Sequence, residues 1–173
     1  GTDIVQSGSG SFLSIGYFEG FNLGRQCLYQ DSQQIDATQY THLHFSFATI
    51  SDDYTSVSVG DVLGQYEFGQ FQRLSGTKRI LTFGGWAFST DPSTYNIFRQ
   101  GVTAANRVTM ATTIANFVKS NNLDGVDIDW EYPGVGESKT EKSNKPKLTP
   151  YPVSVSVGPR YPRHPGRQQG RRH

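Results

Sequence analysis

Sulfur is almost missing from this sequence, with Cys27 and Met110 alone among 173 residues. A single thiol excludes an internal disulfide and a zinc site built on cysteines, so Cys27 reads as an isolated thiol. No apolar run approaches the length that spans a bilayer, and no membrane partner is expected. The opening GTDIVQSGSGS lacks the basic and apolar regions of a signal peptide. Residues 1–11 read instead as a Gly/Ser linker, and the chain is expected to begin in mid-protein. Proline is scarce until late, with six of the eight after residue 136. Charge is equally uneven. Residues 1–136 hold 7 Lys/Arg against 13 Asp/Glu, and residues 137–173 hold 9 against 2, so the net +1 conceals two kinds of sequence.

The first of these alternates short apolar runs with helical patterns, the signature of βα units and a parallel sheet. Strands are predicted at Phe12–Phe18, His42–Ile50, Arg79–Gly84 and Leu123–Glu131. Val108, Ala111, Ile114, Ala115 and Val118 recur at helical spacing, with Asn121-Asn122 as a stop. A weaker helix is expected around Gly64–Leu74. Polar or aromatic residues at the C-terminal ends of the strands suit a TIM (β/α)8 barrel, whose active site lies at that end.

The segment DGVDIDWEYPG, residues 124–134, carries the chemistry. Side chains alternate faces along a strand, so Asp127, Asp129 and Glu131 share one face and Val126, Ile128 and Trp130 the other. Neighbouring carboxylates there stand roughly 6–7 Å apart, from a rise of about 3.3 Å per residue. At an effective dielectric near 20 they repel by about 2–3 kcal/mol, so all three are not expected to be ionised together. A carboxyl that keeps its proton near neutrality is what general-acid catalysis needs. A solvent-facing acidic strand is the bland alternative, opposed by the apolar face behind it and the Gly/Pro terminator after it. A hard-cation site is another, but the loop spacing and central glycine of a calcium hand are missing. His42 and His44 alternate onto one face and imitate a metal pair. With Leu43, Phe45 and Phe47 on the other face, both histidines are expected to lie outward against helices, and no metal or cofactor is expected.

Asp124, Asp127, Asp129 and Glu131 match the DxxDxDxE signature of glycoside hydrolase family 18, the chitinases and their relatives. "RILTFGGW" resembles that family's third-strand SxGG segment, with Thr82 in the place of serine. "SIGYF" and "THLHFSFATI" resemble its first two strands. The resemblance covers residues 12–134 and is nearest in character to fungal chitinases related to killer-toxin subunits. It implies that Glu131 is the general acid and that Asp129 orients the substrate N-acetyl group, whose oxygen attacks in place of an enzyme nucleophile. Asp127 would share a proton with Asp129. Tyr17, Phe47, Trp86, Gly84 and Gly85 match positions lining the sugar site. Chitin or N-acetylglucosamine oligomers would be the ligand, in an extracellular or cell-wall setting, with attached chitin-binding modules possible in the full-length protein. A lectin-like chitin-binding module is the alternative, opposed by the intact Glu131.

Only the first four of eight βα units are recognisable. The basic, proline-rich stretch 135–173 could serve as a nucleic-acid-binding arm or be disordered, but a retained intron followed by a frameshift accounts for more of it, and no nucleic-acid partner is expected. PRYPRHPGRQ, residues 159–168, back-translates so that reading one nucleotide later gives PDIPGIPAG, similar to what fungal members carry after EYPG. Val135-Gly136 and Val157-Gly158 admit codons that form the two borders of an intron whose length is not a multiple of three.

Overall fold

A computed structural model describes residues 12–134. The expectations for residues 1–11 and 135–173, the linker, the basic arm and the frameshift, lie outside the described residues.

The elements run β1 (Ile15–Glu19), β2 (His42–Ile50), β3 (Val57–Ser58), α1 (Val62–Phe71), β4 (Lys78–Gly84), α2 (Gly85–Thr90), α3 (Tyr95–Gly101), α4 (Arg107–Ser120) and β5 (Gly125–Asp129). The sheet order is β1–β2–β4–β5, all parallel, with the short β3 antiparallel on β2. All four predicted strands are present, although β5 ends at Asp129, so Glu131 lies just past it. Three short 3-10 turns, not an α-helix, connect β1 to β2. Asp31 and Asp36 start two of them by accepting backbone N–H groups from Gln33 and Thr38. Helices α2 and α3 fill the β4–β5 crossover ahead of α4.

The core lies between sheet and helices. Phe45 on β2 meets Phe68 and Phe71 of α1 edge-on, at centroid distances of 5.2 and 5.5 Å, and Phe18 of β1 lies alongside. Such pairs contribute about 0.5–1.5 kcal/mol each beyond area burial. The expected stripe on α4 is only half right. Ile114 is buried, but Val108, Ala111 and Ala115 are exposed, and the partners packed on the core are Met110 and Phe117. Met110, Ile114 and Phe117 follow i, i+4, i+7, and that stripe buries larger side chains than the valine and alanines do.

The histidines correct a second expectation. Phe45 occupies the helix-facing side of β2, so His44 and Ser46 face the opposite side, where both are buried, at 3% and 1% exposure. Phe68 and Phe71 of α1 line the sheet–helix interface, and the aromatic face of β2 packs against them. Phe47 leaves the alternation, because the register against β4 shifts between Ser46 and Ala48.

At the N-terminal end of the strands Asp124 joins β4 to β5. It accepts the Arg79 backbone N–H at 2.9 Å and pairs with Lys78 Nζ at 3.3 Å. This acidic residue of the signature therefore stands at the far end of the sheet from the other three.

Candidate active site

Each βα unit delivers its residues to the C-terminal strand ends. Register places Tyr17 beside His44 on β1–β2 and Thr82 beside Asp127 on β4–β5. Asp127 is fully buried, whereas Val126, Ile128 and Trp130 are only partly so. The acid side of β5 is thus its more enclosed side. One oxygen of Asp127, Oδ2, receives the Tyr17 hydroxyl at 2.9 Å, His44 Nδ1 at 3.1 Å and the Thr82 hydroxyl at 3.2 Å. The other, Oδ1, is buried with no hydrogen-bond partner among the described residues.

These surroundings order the three acids. Burial pushes the Asp127 carboxyl up, but donors from His44, Tyr17 and Thr82, together with the charge of His44, outweigh it and hold the group below its ordinary value. Asp129 is raised, first by burial and then by the negative charge of Asp127. Glu131 is raised by burial and by Asp129. Towards the strand end the carboxyls thus pass from one whose surroundings favour the charged form to two whose surroundings disfavour it, and part of the rise at Asp129 and Glu131 comes from the neighbouring acid, as their spacing predicts.

Gly84 and Gly85 are required by close approach. Gly84 has φ +110°, and a Cβ there would stand 2.2 Å from the Asp129 carbonyl oxygen and 2.9 Å from the Phe98 ring. Gly85, at φ +85°, would bring its Cβ to 3.0 Å from the Phe47 ring. Phe47 therefore stands over the glycine turn beside the acids. Trp86 follows on α2, 63% exposed, and Tyr17 is 54% exposed although its hydroxyl reaches inward. The crossover also holds the segment carrying Glu131: buried Ser89 of α2 accepts the Glu131 N–H at 3.0 Å, and Arg99 of α3 donates to the Tyr132 carbonyl at 3.3 Å. A cavity of about 280 Å³ is lined by Phe47 together with Phe21, Val59, Asp61 and Leu63, and includes none of the three acids.

Sequence reasoning brought Tyr17, Thr82, Asp127, Asp129, Glu131, Gly84, Gly85, Phe47 and Trp86 to one end of the sheet, and the structure places them there. It missed His44, Ser89 and Arg99. No signal within β2 marked His44, because its pairing with Tyr17 is set by the register between strands. Nothing local marks Ser89 or Arg99, whose partners lie 42 and 33 residues away.

Parallel strands feeding buried and half-buried carboxylates at their C-terminal ends define an α/β protein similar to TIM-barrel glycosidases. The family model described as Glycosyl hydrolases family 18 matches residues 14–150. Secreted chitinase LysM12 of Penicillium expansum is 59% identical over 134 residues, 77% of this chain and 9% of that protein. Killer toxin subunits alpha/beta of Kluyveromyces lactis is 40% identical over 127 residues, 73% of this chain and 10% of that protein. The crystal structure of Ostrinia furnacalis Group II chitinase catalytic domain 2 shares the fold with a TM-score of 0.60 at 22% identity, over 70% of this chain and 33% of that one. The chain belongs to glycoside hydrolase family 18 and covers the N-terminal part of its domain. It spans about a tenth of the length of these curated relatives.

Proposed function

We propose that this chain carries the acid machinery of a secreted chitinase that cleaves β-1,4 links between N-acetylglucosamine units with retention. The observation that carries the reading is the ordered set of carboxyls, with Asp127 receiving three donors that lower it and Asp129 and Glu131 both raised. Glu131 gives its proton to the glycosidic oxygen as that bond breaks. The acetamide carbonyl oxygen of the same sugar supplies the electron pair that forms the new bond to the anomeric carbon, so no enzyme nucleophile is needed. Asp129 orients the acetamide and accepts from its N–H, and Asp127 accepts the proton that Asp129 gives up. Glu131, now a base, takes a proton from water, which opens the cyclic intermediate and releases the sugar. Tyr17, Phe47 and Trp86 offer aromatic faces to the apolar faces of the sugar rings. The relation to Secreted chitinase LysM12 supports an extracellular setting.

The test is Glu131→Gln in the full-length protein. Glutamine keeps the shape and hydrogen bonding but has no acidic proton, so hydrolysis of chitin oligomers should fall by at least 100-fold, on the order of a general-acid contribution, while oligomer binding persists. Hydrolysis near the parent rate would remove Glu131 from the acid role. If the parent binds oligomers without turning them over, the lectin-like reading replaces this one.

A further inference from the structure

We infer that His44 is a positioning residue for the Asp127–Asp129 pair, donating from Nδ1 to Asp127 so that Asp127 stays the charged member and Asp129 holds the shared proton. The inference rests on the acid roles proposed above and adds a residue that the signature leaves out.

Oxygen chemistry fixes the direction of the contacts. An ionised carboxylate oxygen can only accept, so the three groups converging on Asp127 Oδ2 must all donate. Nδ1 of His44 therefore carries a hydrogen. Thr82 Oγ1, 3.3 Å from the same nitrogen, gives that N–H a second acceptor while sending its own hydrogen to Asp127. The Tyr17 ring lies against the imidazole at 4.6 Å between centroids, tilted by 50°, and keeps the ring from turning away. His44 is 3% exposed and Asp127 is fully buried, so water cannot replace a lost donor cheaply.

Among the described residues, the titratable and polar groups facing His44 are Tyr17 from β1, Thr82 from β4 and Asp127 from β5. Of the three donors to Asp127, the two hydroxyls can rotate and turn acceptor if Asp127 becomes protonated. The imidazole N–H is the donor that also can bring positive charge. With Oδ2 saturated, the unpartnered Oδ1 is the acceptor left for a proton arriving from Asp129. Imidazole on one side and Asp129 on the other thus bias where that proton rests.

The sign follows. Without the donor, the Asp127 anion loses stabilisation and takes a proton at higher pH. The pair then loses its single negative charge at higher pH, and the acidic limb of the rate profile moves up. The experiment measures kcat and KM against pH in the full-length protein for His44→Leu and His44→Ala, two donor-less variants of different bulk, and for His44→Asn, whose amide restores a donor. Circular dichroism shows which donor-less variant folds. The expected result is an acidic limb moved up by about one pH unit, a tenfold loss of kcat at a fixed pH on that limb, with little change in KM. Asparagine should return the limb toward its parent position. A folded donor-less variant with the parent limb, or an asparagine variant shifted as far as leucine or alanine, overturns the inference. Glu131→Gln is run in parallel. If it leaves hydrolysis at the parent rate, the acid reading has failed; if it abolishes hydrolysis while the donor-less limb stays put, only the role of His44 has failed.

Discussion

Asp129 occupies the least comfortable position in the site, between a buried anion and a second carboxyl. Its ordinary value is raised, so the folded protein resists its ionisation. A raised acid binds its proton more tightly folded than unfolded, and it costs stability as pH climbs past the unfolded carboxylate range. Asp127 works the other way. Its lowered value contributes stability above the unfolded carboxylate range, and that contribution is lost as pH falls through the folded value. Asp129→Asn should therefore raise the melting temperature near neutral pH and leave it unchanged in strong acid, where both side chains are neutral. The same substitution should cost activity by orders of magnitude and shift its pH profile, because in the proposed reaction Asp129 holds the acetamide and couples to Asp127. Calorimetry at two pH values and a chitinase assay check both halves. A variant that is inactive yet less stable at neutral pH would show that Asp129 is placed for packing.

At the scale of elements, the β4–α2 junction brings backbone, glycines and acid segment together. Gly84→Ala sets a Cβ against the Asp129 carbonyl oxygen at a backbone angle that suits glycine. The conformational cost alone is about 1–3 kcal/mol, and the clash adds to it. The denaturant midpoint should fall and kcat should drop with it, since the displaced atom belongs to the acid strand. Asp124→Ala is the contrast. It removes the acceptor for the Arg79 N–H and one partner of Lys78 at the opposite end of the sheet. A loss of about 1–3 kcal/mol in stability is expected from the unsatisfied Arg79 N–H, with kcat of the folded variant near the parent. A large fall in kcat for the folded Asp124→Ala protein would mean that the far end of β5 controls the acids. Ser89 is the subtler element contact. It holds the Glu131 N–H from α2, so the crossover fixes a residue that the strand itself no longer supports.

For the molecule as a whole, the described sheet has two edges, β1 and β5, each hydrogen-bonded to one neighbour among the described residues. In a closed (β/α)8 barrel such edges are joined by further strands, and we propose that this chain holds four of the eight units. The 173-residue chain by itself should then show negligible turnover of a chromogenic chitobioside. Positioning supplies roughly 7–11 kcal/mol of a barrier, and half of the sugar-contacting surface would be missing. Robust turnover by the purified chain would overturn this. The tail belongs to the same scale. Sequencing of the transcript and genomic DNA is expected to show GT at codon 135, AG across codons 157–158, and a spliced frame running on through APDIPGIP. A shifted frame that soon stops, with no splice signals, would leave residues 135–173 as a basic arm of the protein.

The sequence by itself determined the parallel βα order, the strand cores and the acids. Those signals are local: alternation within nine residues of β2, and carboxylates at two-residue spacing after Asp127. Only the tertiary structure decided which face of β2 looks inward. Both faces of a parallel sheet are buried, so the alternation of His44 with Phe45 has no sign until α1 presents Phe68 and Phe71 to one side. Only packing, likewise, chose Met110, Ile114 and Phe117 over the valine and alanines of α4. The support of Glu131 by Ser89, and the gathering of Tyr17, His44 and Thr82 on one oxygen of Asp127, join residues from separate βα units. Spacing along the chain carries no information about such contacts, because it is the register between strands that brings them within hydrogen-bonding distance.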